Sequence, residues 1–267
     1  MINVLSLGVG VQSSCMSLMA CQGLIEPKPD LIVFSDPGWE QKQTYDYSIW
    51  LKAEIEKHGI KVEYTNGGNI RTDLLKAATD GTRVASLPFF TLNDDGSEGI
   101  VMRQCTSEYK IVPVRKSIKK YLGVKTAREI KEPVSMWMGI STDEIERVKP
   151  SRERWIVNRY PLIEMMMNRL DCMNWLSRNG YPVPPKSSCI GCPFHSDATW
   201  LDMKRNDPDA WNDAVEVDKS IRNMPRMDKK VFLHRSCKPL DKVNLNEDQM
   251  EFNFDGFGNE CEGLCGV

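Results

Sequence analysis

The chain has 267 residues, 41% hydrophobic and 27% charged, with a formal net charge of −2. That length supports a sizeable core, either as one large domain or as a domain with an elaborated tail. The near-neutral balance excludes the global basic field of a general nucleic-acid binder. No apolar run approaches the ~20 residues of a membrane span. "MINVLSLGV" lacks the basic start and cleavage site of a secretory leader. A cytoplasmic protein with no membrane contact is therefore expected.

In chain order, "NVLSL" reads as a buried strand and "SCMSLMACQGL" as a helix ending near Gly23. "DLIVFSD" is a second strand. The helix after it starts beyond Pro37-Gly38 and stops at Gly59. "KVEYTN" is a third strand, and this alternation predicts a parallel sheet covered by helices. From Gly67 to Met102 the pattern weakens, with "NDDGSEG" as a turn. "TSEYKIVPVRKSIKKYLG" is helical, with Pro113 as a boundary or kink. "VSMWMGI" is a buried strand, and "STDEIERVKPSRERW" a charged loop with some helical turn. "LIEMMMNRLDCMNWLSRNG" is an amphipathic helix closed by Gly180, with Met165, Met166 and Met167 expected in the core. "YPVPPKSSCIGCPF" carries too much proline for regular structure. Ser196 caps a helical stretch that breaks at Pro208, and Trp200 and Trp211 are expected as its core contacts. The last ~35 residues are polar and loop-rich. The expected division is a nucleotide-binding α/β domain over 1–185, with a cysteine-containing helical and loop region over 186–267 packed on it.

"SLGVGVQSS" joins the first strand to the first helix. Such a turn puts backbone N–H groups and a helix N-terminus where an anion can sit. The glycines allow close approach, and Ser13 and Ser14 add hydroxyls. It is neither the dinucleotide fingerprint nor the kinase-type P-loop, because no Gly-Lys-Ser/Thr follows. A tight turn with a serine cap is the plain alternative. Asp36, ending the second strand, can bind ribose or a metal-bridged phosphate, or cap the next helix. Arg103, Lys110, Arg115, Arg147, Arg152 and Arg154 follow strands, where open α/β sheets bind ligands. They can hold phosphates or an anionic substrate, or form a solvated face.

Nine cysteines point to metal or redox chemistry rather than a disulfide framework in a reducing compartment. Cys15, Cys21 and Cys172 lie in apolar helical patterns and are expected as buried packing. The spacing of Cys189-Ile-Gly-Cys192 lets both thiolates face one metal, with Gly191 easing the turn. Cys105 lies close to Arg103, Lys110 and Arg115, cations that lower a thiol pKa and offset a cluster's charge. A fourth ligand would come from Cys237, Cys261 or Cys265, and His195 is near enough in sequence for zinc. The alternative is a pair of thiols in a tight turn.

Six segments in order over roughly residues 1–195 resemble the phosphoadenosine-phosphosulfate (PAPS) reductases of the adenine nucleotide α-hydrolase, or PP-loop, superfamily. They are the 6–14 loop, "SDPGWEQKQTYDYSIWL", "CTSEYKIVPV", "WMGISTDEIER", "NRYPLIEMMMNRLDCMNWLSRNGYPVPP" and "CIGC". The whole pattern is most similar to a PAPS-reductase-like group of phages and bacteria. The resemblance implies a Rossmann-like α/β fold, a parallel sheet with helices on both faces, and a C-terminal region carrying a cysteine metal site. It implies ATP or a phosphoadenosine-type nucleotide, with magnesium as a companion ion, at Ser6, Gly8, Gly10, Gln12, Ser13, Ser14, Asp36, Gly139 and Arg147. Substrate is expected at Arg103, Lys110, Arg115 and Arg152. A [4Fe-4S] cluster, or zinc, is expected on Cys105, Cys189, Cys192 and Cys237. The tail cysteines Cys261 and Cys265 stand where the reductases carry their nucleophile. The activities implied are reduction of an adenylyl sulfate by a tail thiolate, or ATP-driven adenylation and thiolation of a nucleic-acid base. Nucleotide binding or sequestration without turnover is the non-enzymatic alternative. Expected partners are a thiol reductant protein, tRNA or DNA, and a second copy of the chain. The sequence departs from the family in four places. The Ser-Gly-Gly-x-Asp-Ser loop is absent, Gln104 replaces the first of a cysteine pair, Ser141 stands where reductases carry arginine, and Glu262 separates Cys261 from Gly263.

Overall fold

Strands rich in Val, Leu and Ile with no polar face need cover on both sides, and the chain supplies it. The computed structural model describes residues 1–245. Strand β1 (Asn3–Leu7) leads into α1 (Val11–Cys21), β2 (Leu31–Asp36), α2 (Lys42–Glu56) and β3 (Val62–Asn66). After an excursion the chain returns on the other side of β1, with β6 (Val134–Trp137) and β7 (Ile156–Arg159). The sheet order is β3-β2-β1-β6-β7, and every pairing is parallel.

The period-2 alternation assigns the two faces. Leu5, Leu7, Ile32 and Phe34 pack with α1, α2 and Leu176 of α6 (Arg169–Arg178). Val4, Leu31, Val33, Val134 and Met136 pack with Val114 and Ile118 of α4 (Val112–Tyr121). Every residue of α1 is buried, because the sheet lies on one side of it and α6 on another. Cys15, Cys21 and Cys172 are in that core, as expected.

The stretch with a weak pattern holds a further helix, α3 (Ile70–Asp80). Its signals are local: the Asn69 side chain accepts from Thr72 N, and Gly81 ends it in the left-handed region. Next come β4 (Phe90–Leu92) and β5 (Glu98–Ile100), a hairpin turned at Gly96. They form an antiparallel sheet with β8 (Lys230–Phe232). Its core joins α3 to α7 (Asp197–Asn206) and α8 (Pro208–Ser220), so it draws on residues from both sides of position 185. Trp200 and Trp211 meet edge-on within it, as expected.

One expectation is corrected. Past the short helix α5 (Pro161–Glu164), Met166 is 79% exposed at φ 54° and Met165 is partly exposed; only Met167 packs on the core. The chain needs a turn between α5 and α6, and the methionines sit on it. No helix among the described residues is long and apolar enough to cross a membrane.

Candidate functional site

Strand order reverses between β1 and β6, and in an open α/β sheet the crevice outside the carboxyl ends at such a point takes the ligand. The 8–10 turn follows β1 and the Gly139–Arg147 turn follows β6, so the glycine loop lies at the switch. Val9 adopts φ 63°, a costly conformation for a β-branched residue that local contacts must hold. Gly8 N donates to Ser13 Oγ (3.2 Å), and Ser13 Oγ donates to the Gly10 carbonyl (3.4 Å). Gly10 is the N-cap of α1 and no side chain caps the helix, so its first-turn amides remain for a ligand. Ser6 Oγ is buried with no hydrogen-bond partner among the described residues.

Gln12 ties three elements together. Its Nε2 donates to Ser141 Oγ (3.3 Å) and Glu144 Oε2 (3.2 Å), and its Oε1 accepts from Arg169 Nη1 (2.9 Å). Asp143 accepts from Ser141 Oγ and from Arg169 N. Arg147 pairs with Glu144. Gly139 lies in the buried turn just after β6. The residues expected at the nucleotide from the β1 and β6 loops are therefore brought together. Asp36 is occupied within its own turn: Oδ1 accepts from Gly38 N (2.7 Å) and Tyr45 OH (2.9 Å). It does not cap α2, whose N-cap is Gln41 with no side-chain capping bond.

A π-helical turn, Thr106–Ile111, runs straight into α4 with Pro113 in its first turn. Such turns often mark functional positions. This one buries Lys110 (5% exposed), which borders two cavities. One is a narrow crevice with Ser6, Gly8 and Ser35. The other, about 30 Å³, is lined by Cys105, Cys189, Cys192, Arg103 and Phe194. Glu40, 3% exposed, was missed by the sequence reading. Its Oε1 lies 3.6 Å from Lys110 Nζ and accepts from Cys189 Sγ (3.9 Å). Burial pushes the Glu40 carboxyl up, and Lys110 pulls it down.

The 187–192 segment crosses the carboxyl ends of β1 and β2. Ser187 Oγ donates to the Gly8 carbonyl (2.8 Å), Ile190 N donates to the Trp39 carbonyl (2.8 Å), and Cys189 forms a β-bridge with Glu40. A Cβ on Gly191 would sit 2.0 Å from Cη2 of Trp39, so only glycine fits. Trp39 is itself anchored through Nε1 to Asp213 (2.6 Å). His195 is not aimed at a metal: Nε2 reaches the Cys189 carbonyl (3.0 Å) and the Ile190 carbonyl (3.2 Å), and the ring packs edge-on against Trp200. Burial lowers its pKa to about 4, so the ring is neutral and donates to the turn.

Three of the four cysteines expected on a metal thus share one cavity. The fourth does not: Cys237 is buried by the antiparallel sheet, with Sγ donating to the Thr91 carbonyl (3.6 Å). Among the described residues no three His, Cys, Asp or Glu side chains converge to hold an ion. The space that Cys105, Cys189 and Cys192 line is about 30 Å³. Among the described residues, these are the thiols that would hold a cluster or zinc, and they supply three ligands of the four. Arg103 lies 5.8 Å over the Phe194 ring at this cavity. Arg115 pairs with Glu153 (3.1 Å) and borders neither cavity. Arg152 and Arg154 are exposed. Cys261 and Cys265 lie outside the described residues.

No protein-family model and no curated protein matches this chain. Among solved structures, a PAPS reductase from Candida auris in a phosphate complex shares 15% identity over 68% of this chain and 74% of its own, with TM-score 0.44. The U34-tRNA thiolase NcsA from Methanococcus maripaludis, with its [4Fe-4S] cluster, shares 12% over 83% and 72%, with TM-score 0.37.

Proposed function

We propose that the protein is a nucleotide-dependent enzyme of sulfur chemistry, binding an adenine nucleotide at the Gly8–Ser14 loop and reacting it against the cysteine cavity. The observation that carries this reading is Lys110, one buried ammonium bordering both the glycine-loop crevice and the cysteine-lined cavity. The order of the PP-loop-like motifs along the chain supports the choice of adenine nucleotide.

The two chemistries that the resemblance implies share one step. A sulfur nucleophile attacks a centre bonded to a nucleotide phosphate oxygen. A bond to sulfur forms, the bond to that oxygen breaks, and the electron pair leaves with the nucleotide phosphate. In the reductase form the centre is the sulfonyl sulfur; in the thiolating form it is a carbon whose oxygen has been adenylated. The loop amides and the Ser6 hydroxyl hold the phosphate. Lys110 faces the developing oxyanion, where a fixed buried charge stabilises the transition state more than the ground state. Glu40 holds Lys110 and Cys189 in one wall.

The test measures nucleotide binding, and release of adenosine phosphate from an adenylyl sulfate with a dithiol present or from ATP with tRNA and a sulfide donor present. Wild type should bind and release. Lys110→Met should bind within about tenfold and lose release by about 10²–10³-fold. Binding without release in wild type would establish the non-enzymatic alternative, and absence of binding would remove the loop reading altogether.

A further inference from the structure

A separate cleft of about 380 Å³ shares the π-helical turn with the cysteine cavity. Glu108 and Tyr109 of the turn line this cleft, whereas Cys105, Thr106 and Lys110 line the other. Its remaining walls come from α3, the 82–85 segment, Gly67 and the start of α4. None of its cationic residues was singled out from sequence. We infer that this cleft is a binding site for a small organic phosphate, held by Lys76 of α3 and Lys116 of α4; the inference stands apart from the nucleotide reading above.

The argument is one of satisfied and unsatisfied groups. Both carboxylates of the lining are already engaged within the walls. Asp73 Oδ2 accepts from Tyr109 OH (2.7 Å), and Glu108 accepts from both Nη atoms of Arg83. The Thr82 hydroxyl donates to Asp80. Lys76 and Lys116 make no hydrogen bond or ion pair among the described residues. Three cationic side chains thus stand against two carboxylates here, in a chain whose net charge is −2. A phosphate monoester supplies what two ammoniums lack: nearly two negative charges and strong acceptor oxygens. Lysine binds such a group as a point charge. Val84, Ala85, Val112 and the Tyr109 ring give the cleft an apolar wall for an organic body. The volume lies within the range of small-molecule pockets. The turn is held in place. A Cβ on Gly67 would sit 2.5 Å from the Glu108 carbonyl oxygen, so the turn packs directly on the end of β3, and Ser35 Oγ of β2 donates to the Tyr109 carbonyl (2.6 Å).

The probe is pyridoxal 5′-phosphate, whose aldehyde forms an imine with a nearby lysine that borohydride reduces to a stable amine. The full chain is labelled briefly, and labelled lysines are mapped by mass spectrometry. Lys76 and Lys116 together should take at least about fivefold more label than the exposed Lys125 and Lys131 together. Pyridoxal, which lacks the phosphate, should discriminate less than about twofold. A smaller preference with pyridoxal 5′-phosphate overturns the inference. An equal preference with pyridoxal also overturns it, since that reports lysine reactivity and not phosphate binding. Lys76→Gln, with folding checked by thermal melting, should lower the label on Lys116 at least about threefold. A smaller change overturns the shared site. If that variant does not fold, the two wild-type labellings still decide.

Discussion

The two sides of the Lys110 wall are built differently. On the loop side, side chains six to fourteen residues into the chain bond one another and the turn after β6 in a dense polar network. On the cysteine side, residues separated by more than eighty positions surround a small, largely apolar cavity, and the 187–192 strap is held by backbone bonds and by Trp39. The first side is a local motif completed by tertiary contacts. The second exists only because two distant segments are pinned to the same strand ends. Removing a loop hydroxyl should therefore weaken a ligand, whereas disturbing the strap should move the thiols.

The sharpest break is at the shared wall. Lys110→Met leaves Glu40 buried beside no cation, which costs about 3–5 kcal/mol. A denaturant melt should show that loss, and the double variant Glu40→Gln, Lys110→Met should recover most of the stability without recovering turnover. Acid should act on the cysteine side next. His195 is neutral when folded, with a pKa near 4 against about 6.5 when unfolded. Between those values the unfolded chain binds the extra proton, so stability is held above pH ~6.5 and falls toward pH 4, by about 1.4 kcal/mol per pH unit at most. His195→Asn should flatten that slope in melts recorded across the window, and an unchanged slope would place the acid sensitivity elsewhere. Gly191→Ala forces a methyl into the Trp39 indole and should destabilise by about 1–3 kcal/mol. It should raise alkylation of Cys189 and Cys192 while nucleotide affinity stays within about threefold; an affinity loss as large as the alkylation change would erase the contrast between the sides. Smallest is Ser13→Ala, which removes the hydroxyl under Gly8 N. About 1 kcal/mol of stability or nucleotide affinity should be lost, with thiol alkylation unchanged.

Sequence order carried much of this. The β1–α1–β2–α2–β3 alternation, the glycine loop, Pro113, the Ser196 cap and the buried Cys15, Cys21 and Cys172 were all legible, because periodicity, caps and breakers act over a few residues. The α3 helix was readable from Asn69 and Gly81, but a weak apolar pattern hid it. The methionine run misled because hydrophobic type alone does not say which side of a turn a residue faces. Glu40, Arg169 and the Ser187 tether carried no periodic signal; each is defined by a partner far along the chain. Cys237 matched the cysteine pattern and went to another sheet.

By itself, then, the sequence determined the parallel α/β frame and the loop at its switch point, since strand pattern and turn chemistry are local. Tertiary structure alone decided which charges and thiols meet there. A buried Lys, Glu or Arg is tolerated only where the fold delivers its partner, and that delivery depends on how β6, the π-helical turn and the 187–192 strap close over the carboxyl ends of β1 and β2.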